Sequence, residues 1–120
     1  MDKRTLIIGA SDKVDRYSNM AANRLKQHGV DFIPLGIKTG EVAGKTILIG
    51  TPDLEGVHTV TMYVNPERQK SYYDYILSLN PKRVIFNPGT ENDEFAQQLE
   101  NKGIEAVEGC TLVMLGSGVF

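Results

Sequence analysis

Tryptophan is absent from the 120 residues, cysteine occurs once, and neither sign of charge dominates. A lone Cys110 excludes any disulfide within the chain and fits a reducing, cytoplasmic setting. With 13 basic and 15 acidic residues dispersed along the sequence, no basic stripe marks nucleic acid as a partner. No apolar run reaches the roughly 18 to 20 residues needed to cross a bilayer, so no membrane partner is expected. The first such run, residues 6–10, ends at once in Ser11-Asp12-Lys13 and does not continue as the core of a signal peptide. His28 and His58 lack ligand spacing, and no Cys/His/carboxylate cluster or nucleophile–base arrangement can be assembled, so the expectation is no metal site and no catalytic residues.

What is present is an alternation of compact apolar runs with helical patterns, read as one α/β domain over residues 1–120. Residues 5–10 form the first strand expected. A helix over 18–28 follows, with Ser18 as its cap, Tyr17, Ala21 and Leu25 on one face, and Gly29 as its stop. Residues 31–35 make the second strand. From Gly36 to Gly56, glycines at 36, 40, 44, 50 and 56 surround one apolar run, 46–49, and predict a mobile excursion with a single edge strand. Residues 58–64 read as a further strand, and Asn65-Pro66 as the start of a helix whose buried stripe is Tyr72, Ile76 and Leu79. Residues 83–87 form the next strand. A turn at Pro88-Gly89, a Thr90 cap and a helix bearing Phe95 and Leu99 precede a last strand over 104–107.

These elements predict a Rossmann-like, doubly wound, mostly parallel sheet of five to six strands with helices on both faces, in the order 3-2-1-4-5 with the sixth at the edge. Ligands in such sheets lie beyond the carboxyl ends of the strands, where the winding reverses. Three loops meet there: residues 9–18, 63–66 and 87–92.

The first of these loops is the most informative. Leu6-Ile7-Ile8-Gly9-Ala10-Ser11 is an apolar run that stops at glycine and small residues before a helix, an arrangement whose backbone N–H groups can hold phosphate oxygens. Dinucleotide sites usually show G-x-G-x-x-G there and an acidic residue after the second strand, and this chain has neither. Lys38 stands after the second strand instead. A cation at that position favours a ribose carrying its own phosphate, as in coenzyme A or NADP.

Gly9-Ala10-Ser11 with Arg16 and Ser18, the Ile33-Pro34 strand end, Asn87-Pro88-Gly89-Thr90-Glu91-Asn92 and the late Gly109-Cys110 together resemble the small, stand-alone CoA-binding domain proteins. These are similar to the CoA-binding domain of the succinyl-CoA synthetase α subunit. The resemblance implies a domain that holds the CoA diphosphate at Gly9, Ala10, Ser11, Arg16 and Ser18, with Lys38 near the phosphorylated ribose and Pro88-Gly89 beside the pantetheine. Tyr63 either flanks the cleft or packs under a helix, and Asn65 is a helix cap or a ligand contact. Cys110 is read as a small buried hydrophobe in preference to a reactive thiol. The expected function is non-catalytic binding of coenzyme A or an acyl-CoA. The alternatives are an NADP-binding oxidoreductase or nucleotide sensor, and a protein-interaction subunit with a vestigial cleft.

Overall fold

The computed structural model describes residues 3–120. Strand β1 (Thr5–Ile8) is buried along its whole length; Leu6, Ile7 and Ile8 suit a central strand covered on both faces, and the buried Thr5 hydroxyl donates to the Lys3 carbonyl at 2.7 Å. Helix α1 (Tyr17–Gln27) returns to β2 (Phe32–Gly36), and a short hairpin of β3 (Glu41–Val42) and β4 (Lys45–Thr46) leads into β5 (Leu48–Ile49). Strand β6 (Thr59–Met62) is followed by α2 (Pro66–Gln69), a 3-10 turn (Lys70–Tyr72) and α3 (Tyr73–Leu79). Then come β7 (Arg83–Phe86), α4 (Asp93–Asn101), β8 (Glu105–Glu108) and α5 (Thr111–Ser117).

Six strands form one parallel sheet in the order β5-β2-β1-β6-β7-β8, and β3-β4 is a separate antiparallel pair. The winding reverses between β1 and β6, as expected for a doubly wound sheet. One face packs Leu6, Ile8, Val60, Met62, Val84 and Phe86 under α3 and α4, whose Ile76, Phe95 and Leu99 are fully buried. The other face packs Ile7 and Phe32 under Ala22 and Leu25 of α1 and Leu115 of α5. Between them the two layers cover the sheet and leave its carboxyl edge open.

Several local expectations are corrected. The first helix starts at Tyr17 with Arg16 in the cap position, while Ser18 lies inside the helix and is buried. Tyr17 does not share the buried face of Ala21 and Leu25; it is 69% exposed. Asn92, not Thr90, caps α4 by accepting from the Phe95 N–H at 3.0 Å; its side chain is anchored by donating to Gln69 Oε1 and the Tyr73 hydroxyl, while the Thr90 hydroxyl donates to the Asn87 carbonyl at 2.8 Å. Asn65 does cap α2, accepting from the Arg68 N–H at 2.9 Å, but the helix beyond it is interrupted by the 3-10 turn, so only Ile76 of the expected stripe is buried. The segment 36–56 holds the hairpin as well as the edge strand. Its turn places Ala43 and Gly44 at φ of 51° and 83°, the left-handed pair that a two-residue hairpin needs. Helix α5 was not expected at all.

Candidate functional site

Gly9 ends β1 at φ +97°, where an added Cβ would stand 3.0 Å from Val64 Cγ1 and 3.1 Å from the Tyr63 backbone. Only glycine lets the exits of β1 and β6 come this close. The chain then runs over β2, and the N–H groups of Gly9 and Ala10 both donate to the Leu35 carbonyl at 2.9 Å. Those two amides are therefore occupied. Gly9 and Ala10 contribute surface to the site, and the donors must come from the residues after them.

The free donors gather at the start of α1. Among the described residues, α2 and α4 are capped by asparagine side chains and carry acidic residues in their first turns. Helix α5 has its first N–H bound by Asn87 Oδ1 at 2.9 Å. Helix α1 has no acidic residue in its first turn and no side-chain cap, and a cation, Arg16, occupies its cap position. A positive side chain at the positive end of a helix dipole is unfavourable unless an anion lies between them. Tyr17 and Ser18, the first two residues of α1, line the same opening. Ser11 borders it, its hydroxyl accepting from the Lys13 N–H at 3.1 Å.

This opening is a cleft of about 940 Å³, near the upper end of the roughly 300–1,000 Å³ typical of small-molecule sites. All ten residues singled out in the sequence line it: Gly9, Ala10, Ser11, Arg16, Ser18, Lys38, Tyr63, Asn65, Pro88 and Gly89. They arrive from four strand exits, because β2, β1, β6 and β7 are neighbours in the sheet. Sequence reasoning missed Ile37 and Ile47 on the β2 side and Arg68, Lys70 and Tyr72 on the side of α2 and its 3-10 turn. The exposed cations were legible as residues, but the broken helix that turns them toward the cleft was not.

Charge in the cleft runs against the chain as a whole. Lys13, Arg16, Lys38, Arg68 and Lys70 line it against Asp12 and Glu67, in a protein of net charge −2. Glu67 is paired with Lys70 at 3.4 Å, which leaves the excess at the first loop, at Lys38 and at Arg68. The local field therefore favours an extended anion. Among the described residues no group of three or more His, Cys, Asp or Glu could hold a metal ion.

Tyr63 both borders the cleft and reaches inward. Its ring packs against the α1–α5 layer, and its buried hydroxyl completes no hydrogen bond. Burial pushes the phenol up to about 12; the nearby Cys110 adds to the rise, and the Thr61 and Thr111 hydroxyls oppose it. A phenol held neutral by folding stabilises the protein fully below the unfolded value near 10, and that contribution is lost as pH rises toward 12. Tyr63→Phe should leave stability at pH 7 unchanged or raise it by up to about 1 kcal/mol, since it removes an unpaired buried group. Above pH 10 the variant should increasingly exceed the wild type in urea denaturation. Superimposable stability–pH profiles would contradict the assignment.

Comparison with known proteins adds the lineage. A family model described as a CoA binding domain matches residues 3–116. The Bacillus subtilis (strain 168) protein YneT is 24% identical over 102 residues, 84% of this chain and 76% of its own length. The crystal structure of an uncharacterised protein is 60% identical and superposes with a TM-score of 0.98, covering 100% of this chain and 99% of the other. A Thermus thermophilus structure, 20% identical over 99% of this chain and 91% of its own, shares the fold with a TM-score of 0.87.

Proposed function

The chain belongs to the CoA-binding domain family, and from that premise we propose that it binds coenzyme A or an acyl-CoA, without catalysis, along the cleft at the carboxyl edge of its sheet. The observation that carries the proposal is the start of α1. Its free N–H groups, its lack of any acidic residue and the Arg16 guanidinium together form a seat for a diphosphate. Lys38, beyond β2, is the partner for the ribose 3′-phosphate. Pro88 and Gly89, beyond β7, border the pantetheine, and Gly89 at φ +91° leaves the ligand room against bare backbone. Ser11 and Ser18 complete the polar rim of the first loop. The described residues that line the cleft pair no nucleophile with a base, in keeping with a carrier or sensor.

The test is a calorimetric titration of CoA, acetyl-CoA, dephospho-CoA and NADP into the wild type and an Arg16→Ala variant. CoA and acetyl-CoA should bind, and dephospho-CoA should bind more weakly. Arg16→Ala should cost about 1.5–3 kcal/mol of binding free energy through loss of a charge-assisted contact, with the fold intact. Heat with NADP alone would transfer the site to the nucleotide-sensor alternative, and no heat with any ligand would leave a vestigial cleft.

A further inference from the structure

Gln69, the last residue of α2, is fully buried and lies just behind the cleft wall. Both N–H donors of its carboxamide and the carbonyl oxygen are engaged. Nε2 donates to the Val64 carbonyl at 2.9 Å and to the Thr90 carbonyl at 2.7 Å, and Oε1 accepts from Asn92 Nδ2 at 2.9 Å. Val64 and Thr90 both line the cleft, one from the exit of β6 and the other from the exit of β7.

These two exits have left the sheet. The last paired residues of β6 and β7 are Met62 and Phe86, and beyond them the ladder is replaced by two side-chain amides in succession. Asn87 comes first, donating to Thr61 Oγ1 and to the Met62 carbonyl, both at 2.8 Å. Gln69 comes next, one level nearer the ligand. The groups it joins are both acceptors, so they cannot pair with each other, and a neutral double donor between them sets how far apart the walls stand. An apolar residue of the same length would leave two carbonyls without that donor, and a carboxylate would push them apart.

We infer that Gln69 is a positioning residue that fixes the width of the cleft between the β6 and β7 exits, and so selects for the pantetheine arm of the ligand over its nucleotide end. The inference rests on the CoA-binding proposal above. Gln69 touches no ligand; it acts through Val64 and Thr90. The nucleotide end, seated at α1 and Lys38, does not depend on it.

The full chain, as wild type, Gln69→Met and Gln69→Glu, is titrated with CoA and with adenosine 3′,5′-bisphosphate, which lacks the pantetheine arm and the phosphate that joins it. Both variants should bind the bisphosphate as the wild type does, which also reports that they are folded. Both should lose roughly tenfold or more in CoA affinity, because small displacements of positioning groups carry penalties of that order. In the wild type, NMR should show the Gln69 side-chain amide resonances shifting with CoA and not with the bisphosphate. Equal losses for both ligands, or none, overturn the inference. If neither variant folds, Gln69 resonances that ignore CoA, or move equally with the bisphosphate, overturn it as well. A wild type that binds neither ligand refutes the CoA proposal itself, an outcome distinct from wild-type binding with the wrong response at Gln69.

Discussion

Gly36→Ala should lower both the stability of the protein and its affinity for CoA, the latter by roughly tenfold or more. Gly36 ends β2, and a Cβ placed there would lie 2.5 Å from the Ala10 carbonyl oxygen and 3.1 Å from Ile47 Cγ2. The nearer of these is backbone and cannot rotate away. Nor can the loop retreat easily, since the Gly9 and Ala10 N–H groups are both bound to the Leu35 carbonyl next to the substituted residue. Replacing glycine by alanine at an unstrained position gains about 0.4–1 kcal/mol by restricting the unfolded chain. Overpacking against a fixed neighbour costs about 1–3 kcal/mol, so the clash prevails. The displaced loop carries Ser11 and leads to the start of α1, hence the coupled loss of affinity. Urea unfolding and calorimetry on the same preparation check both effects. An unchanged midpoint with unchanged affinity would show that the two backbone segments are not held as close as described.

Phe95→Ala should give the largest loss of stability, about 3–5 kcal/mol, and leave the affinity of the folded protein for CoA unaltered. Phe95 of α4 is fully buried and joins its helix to α3 and β7. Its ring stacks on Tyr73 at 4.2 Å with 8° between planes, and meets Phe86 edge-on at 6.1 Å and 86°. Each such pair adds about 0.5–1.5 kcal/mol beyond the burial itself. Against a typical domain stability of about 5–15 kcal/mol, the variant stays folded in the cold and unfolds far earlier on heating or in urea. A loss below about 1 kcal/mol would mean that the site collapses around the deletion, contrary to the rigid packing of the two aromatic neighbours. Together the two substitutions separate residues that make the cleft from residues that make the fold.

The sequence by itself determined the alternation of buried strands and helices, the order of the sheet, and the meeting of the loops at 9–18, 63–66 and 87–92. A strand covered on both faces is rich in continuous apolar sequence, as residues 6–8 are, and parallel neighbours require crossovers that wind one way. The cap at Asn65 was legible for the same reason, since its bond to the Arg68 N–H is local. Only the tertiary structure decided the rest. Thr90 and Asn92 are both good caps, and the choice fell to Asn92 because Gln69 and Tyr73, distant in sequence, accept from its side-chain amide and hold its Oδ1 on the Phe95 N–H. Helix α5 has no charged residue to mark a solvent face, and forms because Leu115 completes the layer over Ile7 and Leu25. The Gly9 and Ala10 amides looked free in sequence and are taken by Leu35, a residue of the neighbouring strand. Gln69 gave no signal in sequence, because a glutamine is usually solvated and its role exists only where two strands part. Periodicity reports what each segment buries, whereas the partner of each polar group is settled by which segments the fold brings side by side.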